Sequence, residues 1–156
     1  MSNDHLDLCL PVRKHPRLKG YDYATPNAYF VTICTKNKAC LFGAPGALNV
    51  FGKVAMQGLA EISKHFPSVQ VEKSVVMPNH IHAILFLQDA TVSLTTVLGL
   101  YKSYVTKQIH QIDSAISVWQ TSFHDHVIRN QAAYEKIWLY IDSNPLLWQK
   151  DCFYPE

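Results

Sequence analysis

No apolar run in the 156-residue chain approaches the ~20 residues that a bilayer-spanning helix needs, so no membrane partner is expected. The opening MSNDHLDLCLPVRKHPR lacks the basic-then-apolar order of a secretory signal. The four cysteines (Cys9, Cys34, Cys40 and Cys152) form no CxxC pair, which removes zinc-knuckle and thioredoxin-like readings. Reduced thiols in a cytoplasmic protein are therefore expected. Charge is scarce as well: charged residues make up 17% and the net charge is +2, too small an excess to argue for a nucleic-acid partner by itself. Internal repeats, low-complexity tracts and linkers are absent, so the chain reads as one domain.

What is present is a 48% hydrophobic composition with clear periodicities. AYFVTICT, Ala28 to Thr35, is rich in aromatic and β-branched residues and reads as a strand, with ACLFG as a short partner ended by the turn-forming GAPG. Asn49 is placed to cap a helix running to about His65, with Val54, Leu59, Ile62 and Phe66 inward and Pro67 as its stop. VQVEKSVVM and HIHAILFL read as two further strands, broken at Pro78 and Asn79. After Asp89 the period becomes 3.6, with an apolar stripe of Leu94, Val97, Leu98, Tyr101, Val105, Ile109 and Ile112. A third helix spans about Gln131 to Ser143 and stops before Asn144-Pro145. The order β, short β, α, β, β, α, α predicts an α+β fold, a ferredoxin-like antiparallel sheet with packed helices. Residues 1–27 read as a basic arm and 28–156 as the single domain.

Residues i and i+2 of a strand share a face, so His80 and His82 project together while Ile81 points into the opposite layer. Two imidazoles so spaced can hold one metal ion with a third ligand, or can simply occupy a polar sheet face. His124 and His126 repeat the pattern, which shows how cheaply it arises. On the third helix, Tyr134, Ile137, Trp138 and Ile141 form the core stripe. Tyr140 and Asn144 lie together on a flank outside it, where a rim tyrosine is the plain alternative. A phenol of pKa about 10 is a weak nucleophile unless a metal polarises its target phosphate. Two histidines and an amide oxygen suit Mg²⁺ or Mn²⁺, with the imidazoles favouring Mn²⁺. Tyr101 and Tyr104 are rival nucleophiles, Tyr101 reading as core. The basic stretch VRKHPRLKGYDY, with Arg13, Lys14, Arg17 and Lys19, suits phosphate contacts, or is a solvated tail. Lys102 and Lys107 can touch phosphates or be ordinary helix lysines. Trp119 and Gln120 can frame a site and stack a base, with a core anchor as the alternative for Trp119.

VVMPNHIHAIL resembles the His-hydrophobic-His (HUH) motif of single-tyrosine transposases. YIDSNP resembles the tyrosine segment of their REP-associated branch, and VWQTSFHDHVIRN resembles its Trp-Gln segment. RLKGYDYATPNAYFVTICT and NPLLWQKDCFYPE resemble its first strand and its tail. The likeness runs from about Arg13 to the C-terminus. It implies an HUH single-strand nuclease fold, with His80, His82 and Asn144 as ligands of Mg²⁺ or Mn²⁺ and Tyr140 as nucleophile. In relatives a glutamine stands where this chain has Asn144. The resemblance further implies cleavage and transfer of single-stranded or hairpin DNA through a 5′-phosphotyrosine, with repetitive extragenic palindromes as targets. The protein would act as a monomer or homodimer, in the cytoplasm at the nucleoid. A hairpin-binding protein with little turnover is the alternative.

Overall fold

Strand alternation sets the architecture, and the computed structural model that shows it describes residues 17–155. In chain order the elements are β1 (Asn27–Cys34), β2 (Gly43–Ala44), β3 (Ala47–Leu48), α1 (Val50–His65), β4 (Val69–Val76), β5 (His80–Leu87), α2 (Leu94–His110), β6 (His124–Ile128) and α3 (Gln131–Ser143). A 3₁₀ segment, Asn144–Lys150, follows α3 directly. Four strands form one antiparallel sheet in the order β4-β5-β1-β6, and β2 and β3 make a small separate hairpin.

The odd-numbered residues Ile81, Ala83, Leu85 and Leu87 of β5 share one apolar layer with Tyr29, Val31 and Ile33 of β1. Onto it pack Ala55, Leu59 and Ile62 of α1 and the α2 stripe from Leu94 to Ile109. The two helices approach closely at Gly58, where a Cβ would stand 2.9 Å from the Tyr101 ring and 3.0 Å from Val105. On the opposite face a smaller apolar cluster joins Phe30, Ile84 and Ile128 to Ile137, Tyr140 and Ile141 of α3. The helix starts follow from local chemistry. Asn49 Oδ1 accepts from the Phe51 and Gly52 amides, Ser93 Oγ from Thr96, and Asn130 Oδ1 from Ala133.

The α+β architecture expected from the sequence is therefore what the chain forms, with several departures in detail. β6 is a strand that the sequence pattern does not announce. Its alternation is masked because the outward positions are His124 and His126 and an inward one is Asp125. Of ACLFG only Gly43 enters a strand, the start of β2, which pairs with β3 rather than with β1: Phe42 is fully buried, and its amide and carbonyl pair with Pro78 and Asn49. Ile112 lies beyond the end of α2 and is exposed. Residues 17–26, read as part of the arm, pack on the main core through Tyr23, with Leu18 and Tyr21 against it. Arg13 and Lys14 lie outside the described residues. Cys34 and Cys40 are free but Cys152 is disulfide-bonded, which corrects the expectation of reduced thiols throughout. CxxC spacing tests only near neighbours and is blind to pairs distant in sequence.

Candidate active site

Both histidines point from the even positions of β5 toward the α3 side of the sheet, with ring centroids 4.5 Å apart and no solvent exposure. Thr32 is the cross-strand partner of His82, and its Oγ1 lies 2.8 Å from His82 Nδ1. His80 Nδ1 lies 2.8 Å from Asn79 Oδ1. The orientation of that amide is decided on its other side. Asn79 Nδ2 donates to the carbonyls of Phe153 (2.8 Å) and Lys38 (3.3 Å), so Oδ1 is the atom that must face the ring. His80 therefore donates from Nδ1 and carries its lone pair on Nε2.

That Nε2 stands 3.7 Å from Asp151 Oδ2. Among the described residues it is buried with no hydrogen bond of ordinary geometry, as is Asn144 Oδ1, which lies beside it. One ligand atom from each of His80, His82 and Asp151 lies within 4.8 Å of the others. Burial lowers the His80 pKa to about 4, although the Asp151 charge and the Asn144 contact pull upward. The His80–Asp151 approach is thus a neutral imidazole beside a carboxylate rather than an ion pair. A neutral ring keeps its lone pair for a cation. Two ring nitrogens, a carboxylate and a buried amide oxygen make a donor set that fits a divalent cation. The orienting contacts at both Nδ1 atoms are those expected behind ligating histidines.

Tyr140 sits on α3 with its ring 5.3 Å from that of His82 and edge-on to Phe30 at 6.2 Å. It is only 3% exposed. The helical stripe alone puts it outside the core. The sheet face beneath α3 covers a wider arc of the helix than one stripe, which corrects that reading. Burial foremost, then the Asp151 charge, raises its pKa above the ordinary phenol value. Asn144 caps α3, and its Nδ2 donates to Asp151 Oδ2 at 2.6 Å. The chain beyond α3 then folds over the centre. Phe153 lies 4.5 Å and Trp148 5.9 Å from the His80 ring, and Asp151 Oδ1 accepts from the Phe153 amide. α3 is held to β4 by Lys73, which meets Asp142 at 2.8 Å and stands 3.8 Å over the Trp138 ring. A Tyr134–Glu72 hydrogen bond adds to this and pushes the Tyr134 pKa up to about 12.

The remaining expected residues are dispersed. Arg17 is committed to Asp125, the Phe123 carbonyl and Ser122, and stacks on the Phe123 ring. Lys19 is exposed. Lys102 and Lys107 belong to α2, across the sheet from the histidines. The Lys102 ammonium donates to the Gln120 and Ser122 carbonyls, and burial lowers its pKa. Trp119 donates its indole N–H to the Lys102 carbonyl and packs beside Phe42 and Tyr101, while Gln120 is exposed. Of the rival tyrosines, Tyr101 is buried with its hydroxyl on the Ala55 carbonyl, and Tyr104 flanks the α1–α2 contact, both remote from the histidines. His124 is the register partner of Thr32, so it shares the face of His82. Thr32, Asn79 and Asp151 are site residues that sequence reasoning missed. Asn79 directly precedes His80, and Thr32 sits in the first strand, so both were within reach of a register argument.

No protein-family model matches the chain. An uncharacterized protein of Haemophilus influenzae is 31% identical over 167 residues, covering 91% of this chain and 93% of that protein. The structure of a REP-associated tyrosine transposase bound to a REP hairpin has a TM-score of 0.67 at 21% identity, over 83% of this chain and 72% of that one. A crystal structure of a candidate transposase from Deinococcus radiodurans has a TM-score of 0.56 at 14% identity, over 81% and 95% of the two chains. At these identities the two structures establish a shared fold, the one that the sequence motifs suggest.

Proposed function

We propose that this chain, which belongs to one family with the Haemophilus influenzae protein and has the fold of the REP-hairpin-bound tyrosine transposase, is a metal-dependent endonuclease and strand transferase for single-stranded or hairpin DNA. The observation that carries the reading is the convergence of His80, His82 and Asp151 on one point with Tyr140 against His82. His80, His82 and Asp151, with Asn144 beside them, would hold Mg²⁺ or Mn²⁺. Such an ion would draw charge from a scissile phosphate. Tyr140 supplies the nucleophile: its oxygen bonds to phosphorus as the P–O3′ bond breaks, and the phenolic proton ends on the departing 3′ oxygen. The products are a 5′-phosphotyrosine and a free 3′-OH. Attack by a 3′-OH on the phosphotyrosine rejoins strands by the reverse step, so no nucleotide cofactor is required. The hairpin held by the structural neighbour supports a palindromic hairpin as the substrate. Such a role would place the protein in the cytoplasm at the nucleoid.

Burial of the centre favours a second reading, that of a hairpin-DNA-binding protein with little turnover. With both histidines at 0% exposure beneath residues 144–155, a phosphate reaches them only after that segment withdraws. One experiment separates the two. Labelled palindromic single-stranded DNA is incubated with the protein and Mn²⁺, and a denaturing gel is read for a covalent adduct. An adduct that disappears in Tyr140→Phe supports the enzyme. Tight binding with no adduct supports the binding protein, and an adduct that survives Tyr140→Phe moves the nucleophile elsewhere.

A further inference from the structure

Beyond the end of β1 the chain makes a turn that no expected function used. Asn37 and Lys38 both take left-handed backbone conformations, at φ 56° and φ 54°. Two consecutive non-glycine residues there are uncommon and persist only where the surroundings impose them. Here the Thr35 carbonyl accepts from the Lys38 amide, the Lys36 amide donates to Val118, and Thr35 bridges Trp119. The result is a cleft of about 590 Å³ between Lys36, Asn37 and Lys38 on one side and Trp119, Gln120 and Thr121 on the other. That volume is within the ~300–1,000 Å³ of small-ligand clefts.

Its charge is of one sign. Lys36 and Lys38 are exposed and pair with no carboxylate among the described residues, and no acidic residue lines the cleft. Gln120 and Thr121 add exposed side chains that can both donate and accept hydrogen bonds. The half-buried Trp119, fixed by its indole N–H, forms a rigid apolar wall. The cleft also adjoins the histidine centre. The Lys38 carbonyl accepts from Asn79, whose Oδ1 orients His80. Lys38 Nζ lies 5.9 Å over the ring of Phe153, which covers His80.

We propose that this cleft is the subsite for the single-stranded nucleotides next to the scissile phosphate, with Lys36 and Lys38 on consecutive backbone phosphates and Gln120 and Thr121 facing a base edge. The assignment rests on the reading of the chain as a single-strand nuclease. The cleft borders Phe153, so a strand lying in it reaches the His80 side of the centre once residues 144–155 withdraw. The left-handed turn brings both lysines to the wall of one groove.

The test measures affinity for a fluorescent single-stranded oligonucleotide as a function of salt, in a Tyr140→Phe background so that no cleavage intervenes. Lys36→Ala with Lys38→Asn removes both charges, and asparagine tolerates the left-handed conformation. The slope of log affinity against log salt should fall by about 1.4, at about 0.7 for each phosphate that a lysine no longer neutralises on a single strand. Lys36→Glu alone should weaken binding more than Lys36→Ala alone, and Lys53→Ala on α1 should leave the slope unchanged. An unaltered slope in the folded double variant, or an equal drop in Lys53→Ala, overturns the subsite. If the parent protein still forms its Tyr140 adduct in that case, the nuclease reading stands. A parent protein that neither binds the oligonucleotide nor forms an adduct overturns both.

Discussion

Replacing Thr32 by valine should weaken divalent-cation binding without unfolding the protein. The Thr32 Oγ1 to His82 Nδ1 contact is 2.8 Å long, and both residues are buried. If His82 ligates through Nε2, its proton must reside on Nδ1 and be donated to Thr32. Valine keeps the branched shape but removes the acceptor. The net hydrogen bond is worth about 1 kcal/mol, and leaving a buried ring N–H unpaired raises the loss to roughly 2–3 kcal/mol. The effect on the metal is separate, because the ring then loses its fixed tautomer and orientation. Removing such an orienting contact typically lowers affinity about 10- to 100-fold, or about 1.4–2.7 kcal/mol. Calorimetric titration with Mn²⁺ measures this directly, and urea unfolding of the metal-free protein measures the first term. Thr32→Ser should retain the affinity, since it restores the hydroxyl. A folded valine variant that binds Mn²⁺ within about twofold of the parent would refute the argument, and with it Nε2 of His82 as the ligand atom.

Asp151→Ala should reduce Mn²⁺ affinity more than Asn144→Ala, because the carboxylate brings charge as well as an oxygen; equal or reversed losses in titration would count against Asp151 as a ligand. Stability should fall on acidification. Burial holds folded His80 at about 4, whereas the unfolded chain titrates near 6.5, so between those values the unfolded state takes up a proton that the folded state refuses. The loss approaches about 3 kcal/mol by the lower end, and urea unfolding across that range should show a flatter limb in His80→Gln. Lys73→Ala removes both the Asp142 pair and the stacking on Trp138. The pair is partly exposed, so about 1 kcal/mol is expected, and no change in the urea midpoint would show that the Lys73 contacts do not hold α3 in place.

What could be read from the sequence was what local chemistry decides. α1 was legible because Asn49 and Pro67 mark its ends and its apolar spacing is regular, and β5 because alternation puts both histidines on one face. β6 was not, because its outward residues are histidines and its buried Asp125 is polar, so hydropathy shows no period of two. Tyr140 reads as peripheral because a helical stripe describes one contact surface, whereas its ring packs beside that stripe on Phe30 and His82 of the sheet. Asp151 had no local signal at all, since its place at His80 depends on how residues 144–155 fold back. Asn79 had two meanings: it marks the turn before β5, and it also orients His80.

The alternation along β5 has a consequence for how the protein would fare in a cell. A slip of one residue against β1 would drive His80 and His82 into the layer beneath α1 and α2 and turn Ile81 and Ala83 toward α3. The error would forfeit the main apolar layer along with the chemistry. Copies that lose the site in this way are therefore also poorly folded copies, open to proteases and chaperones that recognise exposed apolar surface. Cellular turnover of misfolded chains thus removes the inert ones as well, although nothing in that machinery senses the site. The same coupling bears on inheritance. Changes at odd positions of this strand are purged through protein abundance, whereas changes at His80 or His82 can silence the chemistry in a chain that remains plentiful.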